Sequence, residues 1–522
     1  MTYSSIYVCI ILVLMLAALV ADKLRPGLIL FSAVVMLLCG HILTPKEALE
    51  GFSNKGMITV ALLYLVSEGV RKSGILERII YSLLPQKACS VQRANLRFLP
   101  VISSLSAFLN NTPVVVIFAP MIKNWCHKMH LPPTKLLIPL SYATILGGMC
   151  TLIGTSTNIV LDGLIQDAGY PGLAMFELSR VGLFILITGL AYLVMVSPYL
   201  LPDVRKSEQE SEEGDIQPGL DRLEIMLSTR FPGLGKTLHE FDFYRHYGAN
   251  VRAIRRSGTT LQGDWMNMRL TKEDTLIVDA DPSFMKTWGE SRVFWMVSRM
   301  GDVEKPMGSR KKWAALALVV LMILGATFGE LDFVKQLFPR VKLDMFFFAC
   351  VTTVVMAWSG MFNTRKYTKF ISWDVLITIA CAFGISKGMT NSGFADFIAG
   401  YIIDLAEQAR HSSNGVYIML AALYLITNLF TELITNNAAA ALAFPLAVGI
   451  SHQLGCDPTP FFICICFAAS ASFSTPIGYQ TNLIVQGVGG YKFTDFVRVG
   501  LPLNLICFFI SVFLIPLIYH MV

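Results

Sequence analysis

The sequence predicts an all-α polytopic membrane protein made of two inverted repeats, with a small cytoplasmic α/β domain inserted between them. The first observation is composition: 54% of the 522 residues are hydrophobic and 15% are charged, and the mean hydropathy is +0.58. A soluble enzyme of this size is much less apolar. The second observation is that apolar runs of about 17 to 25 residues recur, which is the length that crosses a bilayer. The third is a polar signature that occurs twice.

Each repeat is expected to contain about five transmembrane helices and one re-entrant hairpin. In the first repeat, residues 1–204, the hairpin is expected at about 94–124, and the spans at about 6–21, 27–43, 57–71, 136–163 and 181–201. In the second repeat, residues 313–522, the hairpin is expected at about 414–451, and the spans at about 313–329, 343–360, 373–390, 459–487 and 499–521. Asn, Thr and Pro in the hairpin regions would leave backbone groups unsatisfied in lipid, so the hairpin tips should line a cavity.

The strongly basic segments lie in connections between spans that all fall on the same side of the membrane. If the N-terminus lies outside, the strongly basic segments all fall in the cytoplasm, as the positive-inside rule requires; they include Lys23/Arg25, Arg205/Lys206, Arg310/Lys311/Lys312 and Lys492/Arg498. An odd number of spans per repeat then inverts the second repeat relative to the first. We predict a multi-pass protein of the cell (inner or plasma) membrane, surrounded by lipid, with both termini outside. The net charge of +6 has the same explanation, so no nucleic-acid partner is expected.

Residues 205–312 differ in character from both flanking repeats. They contain 18 of the 42 Lys and Arg residues and 17 of the 36 Asp and Glu residues. A polar linker, Ser207 to Pro218, opens the region, and short β-like runs follow at Leu223–Ser228, Asn250–Arg256 and Thr275–Asp279. Gly and Asp turn signals separate the runs. The region is therefore predicted to be a small soluble α/β domain, which the charge parity places in the cytoplasm.

The doubled polar signature lies in the two hairpin regions. The first copy runs from Ser106 to Pro113 and the second from Thr431 to Asn437. Asn436 follows Asn111 by 325 residues. Each copy has a downstream counterpart, and these are Gly154-Thr155-Ser156-Thr157-Asn158 and Gly478-Tyr479-Gln480-Thr481-Asn482. A second internal match aligns Ser67–Gly74 with Ser386–Gly393.

Amides and hydroxyls at membrane depth suit the binding of dehydrated ions. Backbone carbonyls and side-chain oxygens at each hairpin tip could hold one Na⁺, while helix N-termini favour an anion between them. A single Asn-Asn pair is more often a helix cap or an interhelical hydrogen bond, but duplication with two counterparts favours a binding site. Glu432, for which the symmetric position is Ala107, is open to two interpretations: a structural or capping role, or a role in coupling. No acid–base constellation indicates an enzyme.

The paired motifs resemble the divalent-anion:sodium symporter (DASS) family of the ion transporter superfamily. The family has Ser-Asn-Thr at each hairpin tip, whereas this chain has Asn110-Asn111-Thr112 and Thr435-Asn436-Asn437. The resemblance implies two Na⁺ sites, one formed by Ser106, Asn110, Asn111 and Gly154, the other by Thr431, Thr435, Asn436 and Gly478. It also implies an anion site formed by Asn111, Thr112, Thr155, Thr157, Asn436, Asn437, Tyr479 and Thr481. A homodimer that transports by an elevator-type alternating-access mechanism is implied as well.

Two departures indicate the branch of the family. Ser156-Thr157 and Gln480-Thr481 occupy places where the dicarboxylate carriers have prolines, and the stretch Thr475–Leu483 looks more like the sulfate or sulfur-acclimation branch. That branch carries inserted TrkA-C domains (the C-terminal part of regulators of K⁺ conductance), and the turn Gly233–Leu238 resembles one copy of such a domain. A small-molecule regulator could bind there. A sensor and a folded tether or dimerisation module both remain open interpretations.

We therefore predict a secondary active transporter that couples Na⁺ entry to uptake of a small divalent anion, with sulfate favoured over dicarboxylate. Na⁺ is the only cofactor-like ion expected, as the co-transported species. Two alternatives remain from the residues alone. One is a proton-coupled anion or cation transporter in which Glu432 titrates, and the other is a channel or transceptor gated by the cytoplasmic domain.

Overall fold

The computed structural model describes most of the chain, in ranges separated by short gaps. The described ranges are 2–21, 24–85, 89–129, 131–203, 220–228, 230–256, 259–261, 265–272, 274–281, 283–289, 291, 293–299, 309–329, 331–337, 342–362, 364–408, 415–476 and 478–521. The predicted linker and the basic pair Arg205/Lys206 lie outside them, as does Lys23.

The first half of the chain is helical, as predicted. Its helices are α1 Tyr3–Ala21, α2 Pro26–Cys39, α3 Pro45–Glu50, α4 Lys55–Ser73, α5 Ile75–Leu83, α6 Val91–Ser106, α7 Asn111–Met129, α8 Leu137–Gly148, α9 Ser156–Asp167, α10 Ser179–Met195 and α11 Ser197–Leu200. Helices α6 and α7 are the two limbs of the first predicted hairpin, joined by a turn at residues 107–110.

The middle of the chain forms a five-stranded sheet with short helices. Its elements are β1 Asp221–Leu227, α12 Phe243–Tyr247, β2 Ala249–Arg256, β3 Thr259–Thr260, β4 Asp274–Ala280, α13 Ser283–Trp288 and β5 Phe294–Arg299. The strand order is β3-β2-β4-β1-β5, and every neighbouring pair is antiparallel. Three of the strands match the predicted runs within two residues. The strands β3 and β5 were not predicted.

The second half is again helical. Its helices are α14 Ser309–Gly329, α15 Asp332–Leu337, α16 Met345–Trp358, α17 Trp373–Asn391, α18 Phe394–Gln408, α19 Gly415–Leu433, α20 Asn436–Leu454, α21 Thr459–Ser470, α22 Gln480–Gly489 and α23 Phe493–Ile518. Helices α19 and α20 are the limbs of the second predicted hairpin. The amphipathic helices α5 and α18 were not predicted, because the charges between their apolar positions hide them from a search for long apolar runs.

Within the described residues, three helices are long and apolar enough to cross a membrane, namely Lys311–Gly329, Gly415–Leu433 and Phe493–Ile518. Shorter apolar helices include Tyr3–Leu19, Pro26–Cys39, Ser179–Met195, Met345–Trp358 and Thr459–Ser470. The expected spans at 136–163 and 459–487 each consist of two helices with a break between them, at residues 149–155 and 471–479 respectively. These breaks carry the downstream motifs.

The two halves share further local detail, and helices of one half pack against helices of the other. Helices α4 and α17 both end at a Ser-Gly step, Ser73-Gly74 and Ser392-Gly393, in which the glycine has a left-handed conformation: φ is 68° at Gly74 and 69° at Gly393, a value that favours glycine. Helix α22 of the second half packs against α7 and α8 of the first, and α20 packs against α9. The two hairpins are therefore brought to the same part of the molecule as the two broken helices.

Candidate transport site

Each hairpin tip presents the start of a helix. Helix α7 begins at Asn111 after the turn that follows Ser106, and α20 begins at Asn436 after the extended residue Thr435. The first backbone N–H groups of a helix have no partner within the helix, so they carry a partial positive charge that points out of its N-terminus. Both tips therefore supply donors in addition to the Asn side chains.

The first tip is closed by a set of hydrogen bonds that we call the first clasp. The amide group of Asn111 lies 2.6 Å from the hydroxyl of Ser106 at the end of the preceding limb. With its nitrogen turned towards Ser106, the amide also donates to the carbonyl oxygens of Thr144 and Gly154, at 3.1 and 3.3 Å. The Thr151 hydroxyl donates to the carbonyl of Ala107 and accepts from Gly154 N at 3.1 Å. The tip is thus tied to the broken helix.

The second tip is closed by the second clasp, which has the same pattern. Thr431 donates to Asn436 Oδ1 at 2.8 Å. Thr475 donates to the carbonyl of Glu432 at 3.3 Å and accepts from Gly478 N at 3.2 Å. Each residue of this set follows its counterpart in the first clasp by 324 or 325 positions.

The asparagines at the ends of the downstream motifs hold the two helix breaks in the same way. Asn158 donates to the carbonyls of Thr151 and Gly148, at 2.9 and 3.4 Å. Asn482 donates to the carbonyls of Thr475 and Ser472, at 3.1 and 2.9 Å. The sequence repeat is therefore a repeat of hydrogen bonds as well.

Glycine is required where each break approaches its neighbours. A Cβ on Gly154 would lie 2.5 Å from the carbonyl oxygen of Gly148, and a Cβ on Gly478 would lie 2.8 Å from the carbonyl oxygen of Thr431. Both contacts are closer than carbon and oxygen allow, so backbone carbonyls can converge on the clasps only because these two positions lack a side chain.

The two clasps meet through residues of the opposite half. The Tyr479 hydroxyl lies 2.6 Å from the Asn111 amide and 3.0 Å from the Thr155 hydroxyl. In the reverse direction, Asn437 Oδ1 accepts from Thr157 at 3.1 Å and from Ser156 at 3.3 Å. These contacts join positions that are 280 to 368 residues apart in the chain.

The structure brings most of the predicted residues into this region. Asn110 accepts from Thr112 N at 3.4 Å. Thr481 is buried, and its hydroxyl has no hydrogen-bond partner within the described residues. Thr435 precedes α20 in an extended conformation, and its side chain makes no capping hydrogen bond.

Three further contacts were not predicted as part of the site. Gln480 accepts from the Thr112 hydroxyl at 3.3 Å, Ser156 reaches Asn437, and Tyr64 of α4 lies close to Asn110. The sequence contained a signal for Gln480 and Ser156, because they occupy equivalent places in the two downstream motifs. No sequence signal indicated Tyr64, which lies in a different element.

The oxygen atoms of the clasps suit a hard monovalent cation. Each clasp combines hydroxyl, amide and backbone carbonyl oxygens, which are ligands that such cations prefer. Among the described residues there is no group of three or more His, Cys, Asp or Glu side chains placed to bind a metal. The neutral oxygen atoms of the clasps suit an alkali cation better than a transition metal.

One carboxylate lies beside the second clasp. Glu432 Oε1 accepts from Ser474 N at 2.9 Å and from Asn504 Nδ2 at 2.8 Å. Its other oxygen, Oε2, is buried and has no hydrogen-bond partner within the described residues, and the same is true of Asn504 Oδ1.

Comparison with known proteins identifies the family. A family model described as CitMHS, citrate transporter, matches residues 10–460 and 337–522. The uncharacterized transporter sll0640 of Synechocystis is 30% identical, over 93% of this chain and 92% of its own length. Sodium/sulfate cotransporter 1 of Chlamydomonas reinhardtii is 22% identical, over 89% of this chain and 84% of its own.

A solved structure is similar over the whole length. The YdaH transporter of Alcanivorax borkumensis aligns with a TM-score of 0.51 at 13% sequence identity, covering 100% of this chain and 99% of that one. At this identity the likeness concerns the fold alone. The family match and the 30% identity to a relative of nearly equal length show the family. The chain belongs to the citrate transporter (CitMHS) family and is a multi-pass membrane transporter of the secondary type, not an enzyme.

Proposed function

We propose that this protein couples the inward movement of Na⁺ to the uptake of a small divalent anion. The observation that carries the proposal is the pair of equivalent clasps joined across the halves by Tyr479 and Asn437. Transporters built from inverted repeats bind substrate and coupling ions near the interface of the repeats, at discontinuous helices such as these.

Each clasp would hold one Na⁺. In the first, the ion would be bound by oxygens of Ser106, Asn110, Asn111 and Gly154; in the second, by oxygens of Thr431, Thr435, Asn436 and Gly478. A bound Na⁺ would take the place of hydrogen bonds within each clasp. It would also supply positive charge to a site whose side chains are neutral amides and hydroxyls.

The anion would lie between the clasps, where four helix N-termini converge. Helices α7, α9, α20 and α22 begin at Asn111, Ser156, Asn436 and Gln480, and the residues at these starts contact one another across the halves. Helix N-termini bind anions through free N–H groups and the helix dipole. The anion ligands would come from Asn111, Thr112, Thr155, Thr157, Asn436, Asn437, Tyr479 and Thr481.

Sulfate is the substrate we favour over a dicarboxylate. A relative that aligns with 89% of this chain is named a sodium/sulfate cotransporter, and the downstream motifs have Ser, Gln and Thr where the dicarboxylate carriers of the DASS family have prolines. Short hydroxyl and amide donors around a compact space suit a tetrahedral oxyanion.

The wider architecture is part of the same proposal. Residues 1–204 and 313–522 would be inverted repeats with both termini outside, and residues 205–312 would be a cytoplasmic domain of the TrkA-C type. Two contacts support this arrangement, because the two hairpins end at different parts of the molecule. Lys123, near the end of the first hairpin, contacts the inserted domain. The end of the second hairpin contacts α18 instead, through Gln453 and Asp396. The protein would work as a homodimer, with the hairpin-bearing part of each subunit moving as an elevator.

The test is uptake by purified protein in liposomes. Sulfate, succinate and citrate would be offered with and without an inward Na⁺ gradient at constant membrane potential. We expect saturable, concentrative sulfate uptake only with Na⁺. Uptake that is indifferent to Na⁺ would overturn the coupling, and preference for succinate or citrate would overturn the substrate. Non-saturable flux would indicate a channel.

A second candidate function is proton coupling through Glu432, favoured by the unpartnered Oε2 atom. A buried ionised carboxylate needs a counter-charge or a proton, and the hydrogen-bond partners of Glu432 are the neutral groups of Ser474 and Asn504. If protons couple transport, a pH gradient alone drives uptake, and Glu432→Gln removes that response while anion exchange persists. The control is Glu47→Gln, at an exposed helix cap. Wild-type uptake that ignores the pH gradient would exclude this candidate.

A further inference from the structure

The inserted sheet has two covered faces. Along β1, Leu223, Ile225 and Leu227 belong to the core of the inserted domain, while Met226, on the opposite face, belongs to the core of the helical part. Glu224 shares the Met226 face, because neighbouring strand residues point to opposite sides. An antiparallel sheet usually leaves one face in water. Here the second face is packed against the helices, so the domain is docked on them and not merely tethered.

A buried ion-pair cluster lies at the centre of this interface. Lys123, on the hairpin limb α7, donates to Glu224 Oε1 and Oε2 at 3.0 and 3.2 Å, and Arg255 of β2 donates to Oε1 at 2.9 Å. The side chains of Lys123, Glu224 and Arg255 are 14%, 8% and 5% exposed. Burial by itself raises the pKa of Glu224, but the two cations outweigh it and lower the pKa to about 2. The carboxylate is therefore charged and held from both sides of the interface.

A second contact joins the sheet to α22. The Met226 side chain lies against Gly487, where a Cβ would come within 2.5 Å of Met226 Cε. The Thr275 hydroxyl of β4 donates to the carbonyl of Gly487 at 3.5 Å. The absence of a side chain at Gly487 is thus what admits the methionine.

Both docked helices begin at the candidate site and end at the domain. Helix α7 starts at Asn111 and reaches Glu224 twelve residues later at Lys123. Helix α22 starts at Gln480 and reaches Met226 seven residues later at Gly487. One helix belongs to each half of the chain, and the two pack on each other. A shift at the sheet would be carried along both helices, including the stretch of α7 that contains Pro120, to the two sides of the site.

Arg230 of the inserted domain has charges of both signs near it in the helical part. Burial and the charge of Arg25, which precedes α2, lower the pKa of Arg230, while the charge of Asp374, in the first turn of α17, raises it. These opposing charges differ from the two cations that both stabilise the Glu224 carboxylate.

We propose that the inserted domain is a conformational clamp: its outer sheet face ties the far ends of α7 and α22 together, moves with them and sets the spacing of the two clasps. Undocking would loosen the contact between the clasps and weaken Na⁺ and anion binding together. A ligand or partner that binds the domain would regulate transport through the same contact. This inference adds regulation to the proposed symport. It depends on the proposed symport only where uptake is measured.

The test uses Met226→Cys as a reporter of docking. In the full-length protein, a membrane-impermeant maleimide should label this cysteine slowly. Labelling of the same protein with Met226 intact is measured as the background and subtracted. Adding Lys123→Gln should speed labelling at least about fivefold and raise the half-saturating Na⁺ concentration for uptake by a similar factor. The matched control is Asp274→Asn, on the opposite face of β4 from Thr275, which removes a buried carboxylate paired with Arg256 within the domain; it should change neither readout.

Each result decides the proposal. Labelling that is fast in the parent, or unchanged by Lys123→Gln, overturns docking by the ion pair. Faster labelling with unchanged Na⁺ dependence overturns the clamp and leaves a passive interface. An equal effect of Asp274→Asn also overturns it, because the cause is then damage to the domain. Labelling needs no substrate, so it succeeds or fails independently of the proposed symport.

Discussion

The first and second clasps have the same framework and a different chemical environment. In both, a hydroxyl holds the tip asparagine, a threonine of the break holds the carbonyl at the end of the first limb, and a downstream asparagine holds the break itself. Equivalent hydrogen bonds at constant spacing show that the framework tolerates a change of neighbours.

The difference is a set of three residues around the second clasp. Glu432, Ser474 and Asn504 are hydrogen-bonded to one another. Their counterparts in the first half are Ala107, Cys150 and Leu186. The constant spacing of the tips and of the breaks identifies the first two. The third follows from two glycines, Gly182 and Gly500, which pack against Cys150 and Ser474 respectively. Leu186 lies four residues after Gly182, and Asn504 lies four residues after Gly500. The polar cluster is thus an addition to the second half, not a requirement of the clasp.

The largest expected effect is loss of transport when either clasp is broken. Asn111→Ala and Asn436→Ala should each abolish coupled uptake, because each removes the amide that closes its tip. Both proteins should still insert and fold. Radiolabelled sulfate uptake in liposomes measures the loss, with Asn391→Ala as the control, since this exposed amide donates to Ile42 O and Glu47 Oε1, away from both clasps. Full sodium-dependent sulfate uptake by both variants would contradict the site.

A smaller effect is expected when the second clasp is given the neighbours of the first. Glu432→Ala alone leaves Ser474 and Asn504 without their shared partner, at a cost of about 1–3 kcal/mol. The triple variant Glu432→Ala/Ser474→Cys/Asn504→Leu reproduces the pattern of the first half, so it should recover much of that loss. Thermal unfolding of the detergent-solubilised protein compares the two. A triple variant less stable than the single one would show that the halves are not interchangeable frameworks.

Recovered stability with lost coupling would assign the cluster to transport. Recovered stability with full Na⁺-driven uptake would assign it to structure alone. The two interpretations of Glu432 that the sequence left open are separated by this measurement.

The smallest expected effect is that of pH on domain docking. The pKa of Glu224 is lowered to about 2, below its ordinary value near 4.3. A depressed carboxylate pKa contributes stability that is complete above the ordinary value and is lost only as pH falls towards 2. Maleimide labelling of Met226→Cys, corrected for the reagent's own pH dependence, should therefore be flat between pH 5.5 and 7.5. A rise in labelling within this window would contradict the buried ion pair.

Much of the fold could be read from local patterns. Apolar run length predicted most of the helices, and turn signals with short β-like runs predicted three strands of the inserted sheet. The strands β3 and β5 escaped because one has two residues and the other belongs to a short continuous apolar run without alternation. The amphipathic helices α5 and α18 escaped because their charges look like connecting loops to a search based on length.

The candidate site was predicted mainly through its duplication. The constant spacing of Asn111 and Asn436 singled out the tips without any contact information. Tyr64 could not be found in this way, because its place beside Asn110 depends on how α4 packs against the hairpin. The docking of Glu224 on Lys123 was equally hidden, since both look like ordinary surface charges in the sequence.

Composition, spacing and charge parity were enough to predict a membrane transporter with a doubled polar motif and an inserted domain, because these properties are written locally or as repeats along the chain. Which residues face each other across the halves was decided by packing. Tyr479 meets Asn111, Asn437 meets Thr157, and the inserted sheet rests on α7 and α22. Such pairings join residues up to several hundred positions apart, and only the folded arrangement of helices selects them.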